Sequence, residues 1–246
     1  MNVIAYTALH YGRDYLASAI RSVIDHVDEY HVLYSAVGSH GFAANVPCPE
    51  TRDELYAIAE SAAGGKLRWH DGQWAHEGYQ RDSIHVYAPD ADVILVVDAD
   101  EVWPRGLVRN MTDGVDMPFF PHRVRLPMIH YWRSFHRAIL HDPAYPVRVI
   151  YPKQPEGEMG LSKLVGCINH MGYAQRPEIV NYKQLTHGHR GEWRQDDWFN
   201  TVFMANAQTN CHPVGSEYWN PEAVNPWDYL PQWMSEHPYY GLEVIE

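Results

Sequence analysis

Cysteine is scarce in this chain of 246 residues: Cys48, Cys167 and Cys211 are far apart and in no CxxC or zinc-ligand spacing. That excludes a disulfide framework or a zinc ribbon as the organising device, and reduced thiols in a cytosolic compartment are the plain reading. No apolar run is long enough to cross a bilayer, and Met1-Asn2-Val3-Ile4-Ala5-Tyr6-Thr7 lacks the basic head and long apolar stretch of a secretion signal. The expectation is a soluble cytoplasmic protein with no membrane span. Positive charge is also in deficit, with 19 Lys and Arg against 31 Asp and Glu, a net charge of −12. A field of that sign disfavours sequence-independent adhesion to DNA or to anionic membranes. Internal repeats and low-complexity linkers are missing too.

What is present suits a compact core. The chain is 46% hydrophobic and 13% aromatic, enough at this length to bury one sizeable domain. Residues 2–7 read as a short buried strand, and residues 13–27 as a helix with Leu16, Ile20, Val23, Ile24 and Val27 on one face. A second strand is expected over 30–37, a helix over 50–63 stopped by Gly64-Gly65, and a third strand over 66–70. A helix over 77–87 then ends before Pro89. Residues 93–97, Val-Ile-Leu-Val-Val, form the most hydrophobic run and must be a central strand. This alternation predicts an α/β fold with a mostly parallel central sheet flanked by helices, in which ligands collect beyond the carboxyl ends of the strands. Past Pro104 the pattern loosens into short strands such as 117–120 and 123–126. The tail from Asn210, where Pro213, Pro221, Pro226, Pro231 and Pro238 alternate with Trp219, Trp227 and Trp233, reads as an ordered wrap. The expected division is a catalytic domain over 1–209 and an extension over 210–246 packed on it.

The strongest chemical signal closes the central strand: Asp98-Ala99-Asp100-Glu101. Two carboxylates one residue apart at a strand mouth suit a hard divalent cation, which takes oxygen ligands and keeps positions open for phosphate. A solvated acidic turn is the bland alternative. The triplet resembles the Asp-x-Asp motif of GT-A glycosyltransferases, and the order of elements over roughly the first hundred residues resembles the nucleotide-binding half of those enzymes.

The resemblance, to nucleotide-sugar-dependent enzymes of the family 2-like kind and to phage types among them, implies a GT-A (Rossmann-like) fold and a UDP-sugar donor. It also implies a divalent metal, Mn2+ or Mg2+, with Asp98 and Asp100 shared between the ribose and the metal. Thr7, Ala8 and Tyr11 would begin the donor pocket, and Asp71 would read the base. Arg81, in Gly78-Tyr79-Gln80-Arg81-Asp82, would touch donor phosphate or sugar; its bland alternative is an ion pair with Glu77 four residues earlier. His170, in Cys167-Ile168-Asn169-His170-Met171-Gly172-Tyr173, would complete the metal shell, with His187 and His189 as alternatives. Glu101 would brace the aspartates. The acceptor's proton needs a base. Glu158 is the first candidate beside the catalytic Asp100, and Asp142, Glu192 and Asp196 are alternatives.

Between Phe119 and Arg148 the five arginines 123, 125, 133, 137 and 148 face only Asp142, with Tyr131, Trp132 and Phe135 interleaved. Arg133, Arg137 and Trp132 are the acceptor-binding candidates of that stretch, unless its arginines simply pair with acids elsewhere. A soluble saccharide, a lipid-linked glycan, a protein and a hydroxymethylated base in phage DNA all stay open as acceptors; for a phage gene the compartment would be the host cytoplasm. Three rival classes remain. A sugar nucleotidyltransferase would carry a Gly-rich loop with Arg or Lys after the first strand, whereas residues 7–14 hold one glycine and no lysine. The others are a divalent-metal hydrolase of phosphate esters and a non-catalytic carbohydrate- or cation-binding module.

Overall fold

The structure, a computed structural model, describes residues 1–38, 46–113, 121–186, 197–215 and 219–246. Strand β1 (Val3–Leu9) turns into helix α1 (Leu16–Val23), and β2 (Glu29–Ser35) returns parallel to β1 with Ile4 opposite Glu29 and Leu9 opposite Tyr34. Helix α2 (Arg52–Ala63) begins at a capping box, in which Thr51 and Glu54 each accept from the other's backbone N–H, and leads into β3 (Leu67–Gly72), parallel to β2. The helix expected over 77–87 is two short ones, α3 (Glu77–Asp82) and α4 (Ile84–Tyr87). They part at Ser83, whose hydroxyl donates to Gln80 O at 2.7 Å and competes with the helical backbone pattern. Strand β4 (Val93–Val96) then pairs parallel with β1 on the side away from β2.

The remaining elements are β5 (Glu101–Val102), α5 (Arg105–Asp113), β6 (Arg123–Arg125), β7 (Met128–Trp132), β8 (Arg137–Ile139), β9 (Val147–Ile150), β10 (Glu158–Gly160), β11 (Ile168–Tyr173), α6 (Pro177–Thr186) and β12 (Glu222–Ala223). The main sheet runs β3-β2-β1-β4-β9-β6-β10 and is parallel except for β9, which is antiparallel to both neighbours. This is the mixed α/β architecture with a mostly parallel central sheet that the strand and helix alternation predicts. The strand expected over 117–120 lies outside the described residues.

Alternation along the strands divides the core. Val3, Ala5 and Leu9 of β1 with Val93, Leu95 and Val97 face Leu16, Ile20 and Val23 of α1, Leu55 and Ala59 of α2, and Leu107 and Met111 of α5. Ile4, Tyr6, Ile94 and Val96 face the other way, against Ile84 of α4 and Ala88. Each fully buried Val, Leu or Ile contributes roughly 1.5–3 kcal/mol.

A second sheet, β12-β8-β7-β11-β5, is not foreseen by the sequence pattern. One face holds Val102, Ile129, Tyr131 and Met171 against Leu230, Met234 and Ile245 of the tail, and the other packs Trp132, Ile139 and Tyr173 against Trp198, Phe203 and Trp219. Among the described residues no helix is long and apolar enough to cross a membrane.

Candidate active site

The acidic triplet is the bridge between the two sheets. Val97 N donates to Tyr6 O at 2.9 Å and Val97 O accepts from the Thr7 hydroxyl at 2.7 Å, which pins the end of β4 against β1. The chain then turns, with Glu101 N donating to Asp98 O at 3.0 Å, and enters the second sheet as β5, where Glu101 lies opposite His170 of β11. His170 in turn lies opposite His130 of β7. One row across three strands therefore carries Glu101, His170 and His130, and Met171 N fixes the turn by donating to Asp100 O at 2.7 Å.

Cations surround the carboxylates. Arg81 of α3 donates to Asp98 Oδ1 at 2.7 Å and keeps its i−4 partner Glu77 as well. Arg148 comes from β9, whose antiparallel register against β4 brings it beside the strand's exit. It donates to Asp98 Oδ2 at 2.8 Å and to Glu101 Oε1 at 2.6 Å. Lys183 of α6 donates to Asp100 Oδ2 at 3.2 Å, the same oxygen that takes a bond from Gln175 at 3.3 Å and lies 3.5 Å from His170 Nε2. Burial alone would raise both aspartates; Arg148 and Arg81 hold Asp98 below the usual carboxylate range, and Lys183 and His170 hold Asp100 well below it. Glu101, with no exposed surface, is pushed up to about 7 by burial and by Asp98, against the pull of Arg148.

Beyond His170 the polar row continues. His130 Nδ1 lies 2.8 Å from His170 Nδ1, and His130 Nε2 lies 2.9 Å from Asp142 Oδ2, in a direction bent away from a straight hydrogen bond. Burial lowers His130 to about 4. Asp142, which burial would raise, is drawn down to about 2 by His130, the Ala144 N–H and the Trp219 indole.

Two glycines make this packing feasible. Gly12 has φ +148, and a Cβ there would stand 2.5 Å from Ala99 Cβ, so the loop after β1 lies directly on the acidic turn. Glu50 holds that loop by accepting from Gly12 N at 2.6 Å and Arg13 N at 2.9 Å. A Cβ at Gly172 would overlap the His170 ring and come within 2.9 Å of Lys183 Nζ.

A cavity of about 610 Å3 opens over the carboxyl ends of β1 and β4 and is walled on the far side by the second sheet and α6. Its volume suits a small-molecule ligand. Of the residues singled out from sequence, it brings together Ala8, Tyr11, Arg81, Asp98, Asp100, Arg125, Asp142, Arg148 and His170. The others lie elsewhere. Thr7 is buried with its hydroxyl on Val97 O and 2.6 Å from Tyr30 Oη, so it binds the two strands rather than a ligand. Asp71 is held by Arg52 on the exposed end of β3. Glu158 is an exposed partner of Arg125 at 2.5 Å on β10 and does not line the cavity.

The acceptor-binding candidates are engaged within the protein. Trp132 is wholly enclosed in the second core. Arg133 is 5% exposed and donates to Phe203 O and Met204 O at 2.8 Å, and Arg137 is bonded to Asn206 and Gln208. These arginines fasten the 197–210 segment rather than present a basic face. His187, His189, Glu192 and Asp196 lie outside the described residues. Lys183, Gln175, Arg148 and His130, which the cavity does use, belong to no short motif.

The donor set does not fit a divalent ion. Each carboxylate of the triplet is already matched to a protein cation, and among the described residues no three His, Cys, Asp or Glu side chains converge as ligands. An ion bound at Asp100 would stand close to the Lys183 ammonium, and at about 4 Å that repulsion costs about 8 kcal/mol at an effective dielectric of about 20.

No protein-family model matches this chain, and no curated protein matches it. Among solved structures it is similar to 4-diphosphocytidyl-2C-methyl-D-erythritol synthase from Anaerococcus prevotii, with 10% sequence identity and a TM-score of 0.43 over 73% of this chain and 95% of that one.

Proposed function

We propose that the protein is a transferase acting on a nucleotide-sugar, with UDP-sugars the first donors to test, and that it moves the sugar to an acceptor hydroxyl. One observation carries the reading: a ligand-sized cavity over the carboxyl ends of β1 and β4 in which Asp98 and Asp100 are ringed by Arg81, Arg148 and Lys183. Cleaving the bond from the anomeric carbon to the diphosphate leaves charge on the departing oxygens. Fixed N–H donors in a site with little water stabilise that charge far better than solvent does.

In this reading Ala8 and Tyr11 border the nucleotide, and the guanidinium of Arg81, held in place by Asp98 and Glu77, meets the donor phosphates. Glu158 does not line the cavity; Asp142 does, but with its oxygens accepting from Ala144 N and the Trp219 indole and its carboxyl held at about 2 it is too weak a base, so no side chain is assigned to the acceptor proton.

The test is product analysis of the purified protein with nucleotide-sugars, and separately with nucleoside triphosphate plus sugar phosphate. Glycosyl transfer or donor hydrolysis releases a nucleoside diphosphate, whereas a sugar nucleotidyltransferase releases pyrophosphate. Pyrophosphate alone would move the protein to the second class, and turnover of neither substrate set would remove both readings.

A further inference from the structure

We infer that Lys183 stands where a divalent ion is expected, so that a bound diphosphate is met by protein cations and its capture does not depend on metal. The inference rests on the reading of the cavity as a nucleotide-sugar site and deepens it. Lys183 reaches the cavity from α6, 83 residues beyond the acidic triplet, yet its Nζ ends 3.2 Å from Asp100 Oδ2. Gln175 and His170 complete the ring around the same carboxylate, and Arg148 and Arg81 do the equivalent at Asp98.

Each aspartate has a protein cation before any ligand arrives: Arg81 and Arg148 at Asp98 and Lys183 at Asp100, with Glu77 and Glu101 as the further partners of the two arginines. The aspartates orient donors here rather than gather an ion. An ammonium has three N–H donors, and Asp100 takes one of Lys183's. Among the described residues no other hydrogen-bond acceptor takes the rest, which can turn to phosphate oxygens while Asp100 holds the nitrogen in place. Gly172 marks the arrangement as built, because any larger residue there would collide with the His170 ring and approach Lys183 Nζ. The acidic triplet alone would suit either mode; the lysine on its second aspartate separates them.

The experiment is isothermal titration of UDP, UMP, GDP and CDP into the full chain, once in EDTA and once in manganese, for the wild type, Lys183→Met and Lys183→Arg. For the wild type, the preference for a nucleoside diphosphate over UMP should agree within about twofold in EDTA and manganese. Lys183→Met should lose about tenfold or more of diphosphate affinity in EDTA with an unchanged affinity for UMP, which also reports that the variant is folded. Lys183→Arg should keep most of the diphosphate affinity. Wild-type diphosphate binding that vanishes in EDTA and returns with manganese would overturn the inference and leave the nucleotide-sugar reading standing. Binding of no nucleotide in either buffer would overturn both.

Discussion

At residue scale the behaviour of the site with acid follows from His130, Glu101 and Asp142. Folding lowers His130 from its ordinary 6.5 to about 4, so on acidification the unfolded chain takes up the proton first. The His130 contribution is then complete above about pH 6.5 and is lost as pH drops towards 4, by on the order of 3 kcal/mol, while Glu101, raised to about 7 from its ordinary 4.5, gains a similar amount over nearly the same range. Asp142, at about 2 against an ordinary 3.8, extends the loss. Its contribution is present above 3.8 and disappears as pH falls through about 2, on the order of 2 kcal/mol. Urea midpoints measured from pH 7 to pH 2 should show stability rising as pH falls from 7 to 4.5 in His130→Gln, where the Glu101 gain is no longer offset, and a flatter profile below pH 4 in Asp142→Asn. Unaltered slopes in both variants would mean that burial and pairing do not set these two groups.

Some of the site can be read residue by residue in the sequence, and the reason it stops is physical. Asp98 and Asp100 declare themselves because they end the most hydrophobic run, and Arg81 because it lies one helix earlier. Lys183 and Gln175 carry no such mark, and Arg148 stands out only as the last of the five arginines in the basic stretch. Their positions come from the register of β9 against β4 and from the return of α6 after β11, which are long-range consequences of folding. The arginines at 133 and 137 mislead for a related reason. A run of positive charge looks like a surface until the chain shows that backbone carbonyls at 203 and 204 and the side chains of Asn206 and Gln208 consume it.

Among the elements, β1 to β4 are legible because each is a compact apolar run bounded by turn residues or a capped helix. The capping box of α2 is one such boundary. Thr51→Ala should lower stability by about 1 kcal/mol in a denaturant titration, the usual loss when an N-cap hydroxyl is removed. A change below the error of the measurement would show the cap to be redundant with the α1–α2 packing. The second sheet is not legible for the opposite reason. Apart from β11 its strands have five residues or fewer, and all five residues of β7 are buried, so no two-residue alternation appears between an apolar and a polar face. The helix expected over 77–87 fails at one side chain, Ser83, which a periodicity argument does not weigh.

Over the whole molecule, the tail and the two sheets share their contacts. Leu230, Met234 and Ile245 pack with Tyr15, which leads into α1, and with Tyr131 and Phe135 beside the second sheet, while Ile245 N donates to Arg133 O at 2.8 Å. Residues 210–246 should therefore unfold together with the rest. Tryptophan fluorescence, with reporters in the main-sheet core at Trp103, in the second core and in the tail, and far-ultraviolet circular dichroism should give one coincident urea transition. Two separated transitions would make the tail an independent unit. Ile245→Ala, which opens a space in that shared core, should lower the unfolding free energy from the common transition by about 2–4 kcal/mol.

The close approach of Gly12 to Ala99 has an evolutionary corollary. The middle position of the acidic triplet is sterically hostage to a residue 87 places earlier, so the two should change together or not at all as the lineage diverges. A descendant that enlarges position 99 must first have moved the loop after β1, and with it the floor of the cavity. Substrate preference could therefore drift through a pair of small, chemically inert residues without any alteration to the charged ones.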